Sequence, residues 1–385
     1  MIYLDYAAST PVDDAVLESM KIAMTVDGNY ANPSSTHSAG RESVALIARA
    51  TEQAADLLHT SPERLVWTSG ATESDNLAIF GAAHFRSDRG KHIITMRTEH
   101  KAVTDPFSEL QKHGFDVTWL EAESDGRLDI DKLAAALRDD TQFVSIMHVN
   151  NETGVIQDIE AIGERCRERD IIFHVDAAQS CGKLPIDLSA LPVDLLSVTA
   201  HKFYGPKGIG ALYVADRKGV HIEPLLFGGG QQRRLRPGTL PTQQIVGFGA
   251  TAALAASRMM DDMAHLTALR SRFWAGISDI PGIMINGSHE YSFPGIINVS
   301  IDDIEGESLL LALEPLCVAT GSACNSKSQE PSYVLRALGR SDELAQSAIR
   351  FSFGRPTTEI EVDKAIELYR DGVAKLRNLA PGLAA

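Results

Sequence analysis

The sequence predicts an α/β protein, with a large, mainly parallel sheet clad in helices and a smaller α+β domain. Three observations carry this. Apolar runs of strand length alternate with helical stretches from Leu65 to Val214. Two of these runs, Ile171–Val175 and Val193–Val198, are apolar enough to be buried on both faces, as strands of a parallel sheet are. Beyond a glycine-rich basic loop at 228–239 (GGGQQRRLRPGT), a long alanine-rich helix leads into a second set of strands and helices.

In chain order, Asp13–Val26 has helical periodicity, and NYANPSSTH at 29–37 is a polar loop. Arg41–Leu58 is an amphipathic helix, with Val44, Ile47, Ala48, Ala54 and Leu57 on one face. Leu65–Trp67 is a short strand that runs through TSGATE into a helix over Ser74–Phe85. Strand, small-residue turn and helix start together make an anion site, because free backbone N–H groups point outward there. Strands follow at His92–Met96, Val117–Leu120 and Phe143–Val149. Helices fall at Ala102–His113, Asp131–Leu137 and Ile159–Arg169. Ala211–Val214 is a candidate antiparallel return strand. The helix over Gln244–His265 precedes strands near 283–285, 296–300 and 348–353, and helices near 306–315, 331–338 and 359–376. ATGSACNSKSQ at 319–329 is too polar and small to be core and reads as a surface loop. The expected division is a large domain over 13–255 and a small domain made of 1–12 with 256–385.

With 385 residues, 44% hydrophobic and 23% charged, the composition is that of an ordinary globular protein. A net charge of −15 argues against a general nucleic-acid or membrane surface. The four cysteines form no CxxC pair or metal-ligand pattern, so free thiols and a cytoplasmic setting are expected, with no bound metal.

Several residues could carry chemistry. Asp176 ends one buried strand and Lys202 follows another. An acid for a ring nitrogen and an amine for a Schiff base are what pyridoxal 5'-phosphate needs. Read alone, Lys202 is more simply a surface lysine after a strand, and Asp176 could be an N-cap; the two in register favour the cofactor reading. Gln179, three residues after Asp176, could reach the ring oxygen. Thr72, Thr199, His201 and Thr239 offer donors for a phosphate. His100, just past the strand at 92–96, could stack on such a ring or cap a helix. Asn151 and Arg350 could hold a substrate carboxylate. Arg350 sits in the apolar strand AIRFSF, where its charge needs a partner, and a structural ion pair is the competing account. Cys324 lies in the small-residue loop, unlike Cys166 and Cys181, which read as packing. A thiol on such a loop can act as a nucleophile once ionised.

These residues belong to segments that resemble the cysteine desulfurases, in the NifS/IscS-like group with the longer catalytic loop. The segments include LDYAASTPVD (4–13), TSGATESDNLAI (68–79), SIMHVNNETGVIQDI (145–159), HVDAAQS (174–180), AHKFYGPKGIGALYV (200–214), ATGSACNSKSQEPSYVLRALG (319–339) and IRFSFGR (349–355). The resemblance implies the fold of type I pyridoxal-phosphate transferases, with a seven-stranded type of sheet, in a homodimer. It implies that Lys202 carries the cofactor, that Asp176 and Gln179 hold its ring and that His100 stacks on it. Ala71, Thr72, Thr199 and His201 would bind the phosphate, with Thr239 supplied by the other subunit. Asn32, Asn151 and Arg350 would bind L-cysteine. Cys324, on a loop at about 318–332, would take the sulfur as a persulfide and leave L-alanine. The persulfide would serve an acceptor protein in iron–sulfur cluster assembly, tRNA thiolation or DNA phosphorothioation. Two rivals share the fold, a selenocysteine lyase and an aminotransferase. A third is a non-enzymatic scaffold in a sulfur-transfer complex.

Overall fold

The computed structural model describes residues 1–320 and 330–379. The chain opens with β1 (Ile2–Tyr3), α1 (Asp14–Lys21) and α2 (Ser38–Leu57). The large sheet is then laid down by β2 (Leu65–Thr68), α3 (Ala71–Phe85), β3 (His92–Met96), α4 (Lys101–Lys112), β4 (Asp116–Leu120), α5 (Ile130–Ala136), β5 (Thr141–Ser145), α6 (Ile159–Glu168), β6 (Ile172–Asp176), β7 (Leu195–Thr199) and β8 (Gly210–Val214). Its order is β2-β8-β7-β6-β5-β3-β4, seven strands as the resemblance implies. Every pairing is parallel except those of β8, which runs antiparallel to both β2 and β7. β8 is therefore the return strand expected after Gly208. Apolar side chains fill both faces. Val144, Phe173, Leu196 and Val198 join one cluster, while Ile93, Phe143, Ile172 and Leu195 join another. These alternate along the strands, as a sheet buried on both sides requires.

α7 (Thr242–Ile277) runs 36 residues without a break. The expected helix stops at His265, but the apolar spacing continues through Leu266, Leu269, Phe273 and Ile277, all buried. Then follow β9 (Ile283–Ile285), β10 (Ile296–Ile301), α8 (Gly306–Ala312), β11 (Leu316–Cys317), β12 (Ala319–Thr320), α9 (Tyr333–Ala337), α10 (Asp342–Gln346), β13 (Ile349–Ser352) and α11 (Glu359–Leu379). A second, antiparallel sheet has the order β12-β13-β10-β9. Its core holds Phe273, Ile297, Val299, Phe351 and Tyr369, together with Leu4 and Ala7 from the N-terminus. β1 is tied to this half by pairing with β11.

Three expectations are corrected. β5 ends at Ser145, not Val149, because the chain beyond it leaves the sheet and lines the cavity described below. α3 starts at Ala71, not Ser74, because Glu73 Oε2 accepts the Ser69 amide (2.7 Å) and closes the first turn early. Ala319 and Thr320 are not loop but strand, paired with Arg350 and Ile349. The short elements β1, β11, β12 and α10 carry too few residues to show a period. Among the described residues, no helix is long and apolar enough to cross a membrane.

Candidate active site

A cavity of about 410 Å³ opens at the carboxyl ends of the parallel strands, where open α/β sheets bind ligands. Its lining includes Ala71, Thr72, His100, Asn151, Asp176, Gln179, Thr199, His201 and Lys202. They come from the ends of five strands or the turns after them. β2 leads to Ala71 and Thr72, β3 to His100 and β5 to Asn151. β6 ends on Asp176, with Gln179 just beyond. β7 ends on Thr199, followed by His201 and Lys202 in a short 3-10 turn.

The rim and the floor differ in electrostatic character. At the rim, the first turn of α3 has no side-chain cap, so its leading N–H groups and helix dipole favour an anion. Gly210 lies against this turn, and a Cβ there would fall 2.7 Å from Gly70 Cα and 2.4 Å from the Val198 carbonyl oxygen. At the floor, Asp176 is buried and accepts a hydrogen bond from the Ala178 amide (2.8 Å). Burial pushes its pKa up, against the pull of that amide, His100 and Lys202. Beside it lies Asp75, fully buried, which sequence reasoning missed. Burial first, then Asp176, pushes Asp75 well above the carboxylate range. Neither Asp75 oxygen makes a well-formed hydrogen bond among the described residues, and the Ser197 hydroxyl beside it is engaged with His174 (2.9 Å). His174, pushed down to about 3 by burial, is neutral, so its 3.6 Å approach to Asp75 is not an ion pair. The only hint of Asp75 in sequence is its place one helical turn after Ala71.

His100 is both cap and lining residue. Its Nδ1 accepts the Ala102 amide (3.1 Å) at the start of α4, which leaves the proton on Nε2. Burial lowers its pKa, Asp176 opposing and Lys202 adding to the fall. His201 Nδ1 lies 3.3 Å from Ser9 Oγ, and burial, helped by Lys202, brings its pKa down to about 4. Lys202 Nζ donates to the Ala7 carbonyl (2.5 Å), and Gln179 Nε2 donates to the same oxygen (2.8 Å).

Arg350 stands behind the cavity wall. Its Nη1 donates to the Asn151 carbonyl (2.8 Å) and its Nη2 pairs with Asp5 (2.7 Å). The structural ion pair is therefore present, with a partner 345 residues away that no local pattern could show. Asn151 Oδ1 and Arg350 Nε are buried with no hydrogen-bond partner among the described residues. Thr239 and Asn32 are exposed and do not line the cavity. Cys324 lies outside the described residues. Cys166 and Cys181 are fully buried, and burial pushes the Cys181 thiol up to about 12, in keeping with their expected role as inert packing.

The Aminotransferase class-V family model matches residues 2–365 of this chain. The chain belongs to this family. It is 57% identical over 381 residues to a protein named cysteine desulfurase IscS from Vibrio campbellii, covering 99% of this chain and 94% of that one. A solved structure described as a NifS-like protein superposes with a TM-score of 0.90 at 36% identity, covering 97% of this chain and all of that one. Another, described as SspA in complex with cysteine, has a TM-score of 0.82 at 39% identity, covering 93% and 100%. Within that family the chain stands in the NifS/IscS-like group, whose cofactor is pyridoxal 5'-phosphate. The cavity fits that group. An amine, a buried acid floor with two unbonded Asp75 oxygens and an uncapped helix N-terminus suit its aldehyde, its basic ring nitrogen and its phosphate in turn.

Proposed function

We propose that this protein is an L-cysteine desulfurase that converts L-cysteine to L-alanine and holds the sulfur as a persulfide on Cys324. The observation that carries this reading is the convergence of Lys202, Asp176, Gln179 and His100 on one cavity, in a chain so similar to proteins named cysteine desulfurase. In balance, the Cys324 thiol and L-cysteine give L-alanine and a Cys324 persulfide. The new S–S bond replaces the substrate C–S bond, with no external oxidant.

When bound on Lys202, pyridoxal phosphate supplies an electron sink that acidifies the substrate α-carbon and weakens its C–S bond. The chain's residues do the rest. Lys202 is the amine that carries the cofactor and then takes the α-proton. Asp176 keeps the ring nitrogen protonated. Gln179 donates to the ring oxygen. His100 offers its Nε2 proton to the reacting face. Ala71, Thr72, Thr199 and His201 hold the phosphate. Arg350, oriented by Asp5, and Asn151, with its unbonded Oδ1, hold the substrate carboxylate.

Thr239 reaches the phosphate from the other subunit of a homodimer. That is in keeping with its exposure and with the bare side chains of Leu226 (52%) and Phe227 (86%) just before the same glycine-rich loop in sequence. The setting is the cytoplasm. The sulfur passes to an acceptor protein in iron–sulfur cluster assembly, tRNA thiolation or DNA phosphorothioation. The selenocysteine lyase, aminotransferase and scaffold readings are not favoured by a 57% identity to a named desulfurase.

The test compares two variants supplied with L-cysteine and a thiol reductant. Lys202→Ala should lose the visible absorption of the cofactor. Cys324→Ser should keep that colour and lose both alanine and sulfide. Normal turnover by Cys324→Ser would rule out the assigned nucleophile.

A further inference from the structure

Lys183 is a second lysine behind the site, with no part in the chemistry above. It follows Gly182, whose φ of +71° allows the chain to coil tightly after β6. An added Cβ there would fall 2.4 Å from the Phe203 ring. The coil, closed by hydrogen bonds from Lys183 N and Leu184 N to the Ser180 carbonyl, sets Lys183 beside Gln179. Lys183 Nζ donates to Gln179 Oε1 (3.0 Å) and lies 5.4 Å from the centre of the Phe293 ring. Lys183 and Lys202 also line one small cavity of about 30 Å³.

These contacts permit only one orientation of the Gln179 amide. In its charged form Lys183 can only donate, and a backbone carbonyl can only accept. With Lys183 at one end and the Ala7 carbonyl at the other, Oε1 must face Lys183 and the NH₂ end must face Ala7. Lys202 Nζ donates to that same Ala7 oxygen, so the NH₂ end sits beside the reactive amine. Ala7 takes one of the two Nε2 protons, and the other remains for a group carried on Lys202.

We propose that Lys183 is a positioning residue for the reaction at Lys202, clamping Gln179 so that its amide presents a donor, never an acceptor, to the cofactor's ring oxygen. This rests on the cofactor reading above. A donor at that oxygen stabilises its anionic form and disfavours a proton on the nitrogen that joins Lys202 to the cofactor. Lys183 also brings a positive charge to a site that already holds Lys202 and Arg350, both of which depress its own pKa after burial does, toward about 7. Cys181 opposes them, and Asp262, Arg355 and Tyr204 face the same small cavity.

The test is a pH titration of the visible band of the cofactor-loaded enzyme without substrate. Lys183→Met should raise its midpoint by about half to one pH unit, the worth of one hydrogen bond. Lys183→Arg, which still donates, should stay near the wild type. In a Gln179→Ala background, Lys183→Met should lose at least half of its shift, because the residue acts through the amide. An unmoved midpoint in Lys183→Met, or a shift that persists in full without Gln179, overturns the proposal. If Lys183→Met does not fold, Lys183→Gln replaces it. That side chain is neutral and can accept as well as donate, so it holds the amide against the Ala7 carbonyl less firmly, and its midpoint should also rise. A wild-type protein with no visible band would overturn the cofactor reading itself, so the two failures are distinguishable.

Discussion

Glu152 shows how one residue can couple the fold to pH. It is buried, its Oε2 accepts the Ser332 hydroxyl (2.5 Å), and Ser332 in turn caps α9. Burial pushes its pKa up to about 7, with Ser332 and Arg350 opposing. The fold therefore binds this proton more tightly than the unfolded chain, where a glutamate titrates near 4.3. Its contribution to stability is fully present below that value and is lost as pH rises through about 7. The term is worth about 4 kcal/mol. Glu152→Gln keeps an acceptor for Ser332 and removes the proton. Unfolding free energies in urea should then fall less between pH 5 and pH 8 than those of the wild type. Parallel curves for the two proteins would show that Glu152 is ionised in the fold. Other site residues were legible without the structure, because Asp176, Lys202 and His100 all sit at strand ends that the apolar runs mark. Asp75, Lys183 and Glu152 were not, because their chemistry comes from burial and from neighbours distant in sequence.

At the scale of elements, the anion-binding rim depends on how closely β8 approaches α3. Gly210 is a point of close approach, through the contacts with Val198 and Gly70 described above. Gly210→Ala would push β8 away from β7 and from the first turn of α3. It should cost about 2 kcal/mol of stability and weaken cofactor binding markedly, which equilibrium dialysis against pyridoxal phosphate would measure. Wild-type affinity in this variant would show that the rim tolerates a wider spacing. The antiparallel β8 was readable from its closeness to Gly208. The early start of α3 was not, because it follows from the side chain of Glu73 reaching back to Ser69.

For the whole molecule, α7 is the beam between two cores. Ile245, Phe248, Ala252 and Ala255 pack in the core of the large sheet, whereas Leu266, Leu269, Phe273 and Ile277 pack in the second. Met260 lies between these sets and is 77% exposed. Proline there removes a helix hydrogen bond and costs about 3 kcal/mol. If the chain is two folding units, with residues 1–12 belonging to the second, Met260→Pro should split the calorimetric unfolding into two endotherms. A single endotherm of unchanged cooperativity would mean that the cores unfold together.

The sequence by itself determined the alternation of strands and helices, the parallel sheet, the family and the identity of most residues around the cavity. These rest on local periodicity and contiguous motifs, which short-range physics writes along the chain. Only the tertiary structure decided how Asp5 meets Arg350, how Ala7 comes to accept from both Lys202 and Gln179, and how Lys183 comes to orient that amide. The first two bring together residues well over a hundred positions apart, and the third depends on a coil that a single positive φ permits. Their energies arise from exclusion of water at contacts that exist only once both sheets have closed around the N-terminal strand.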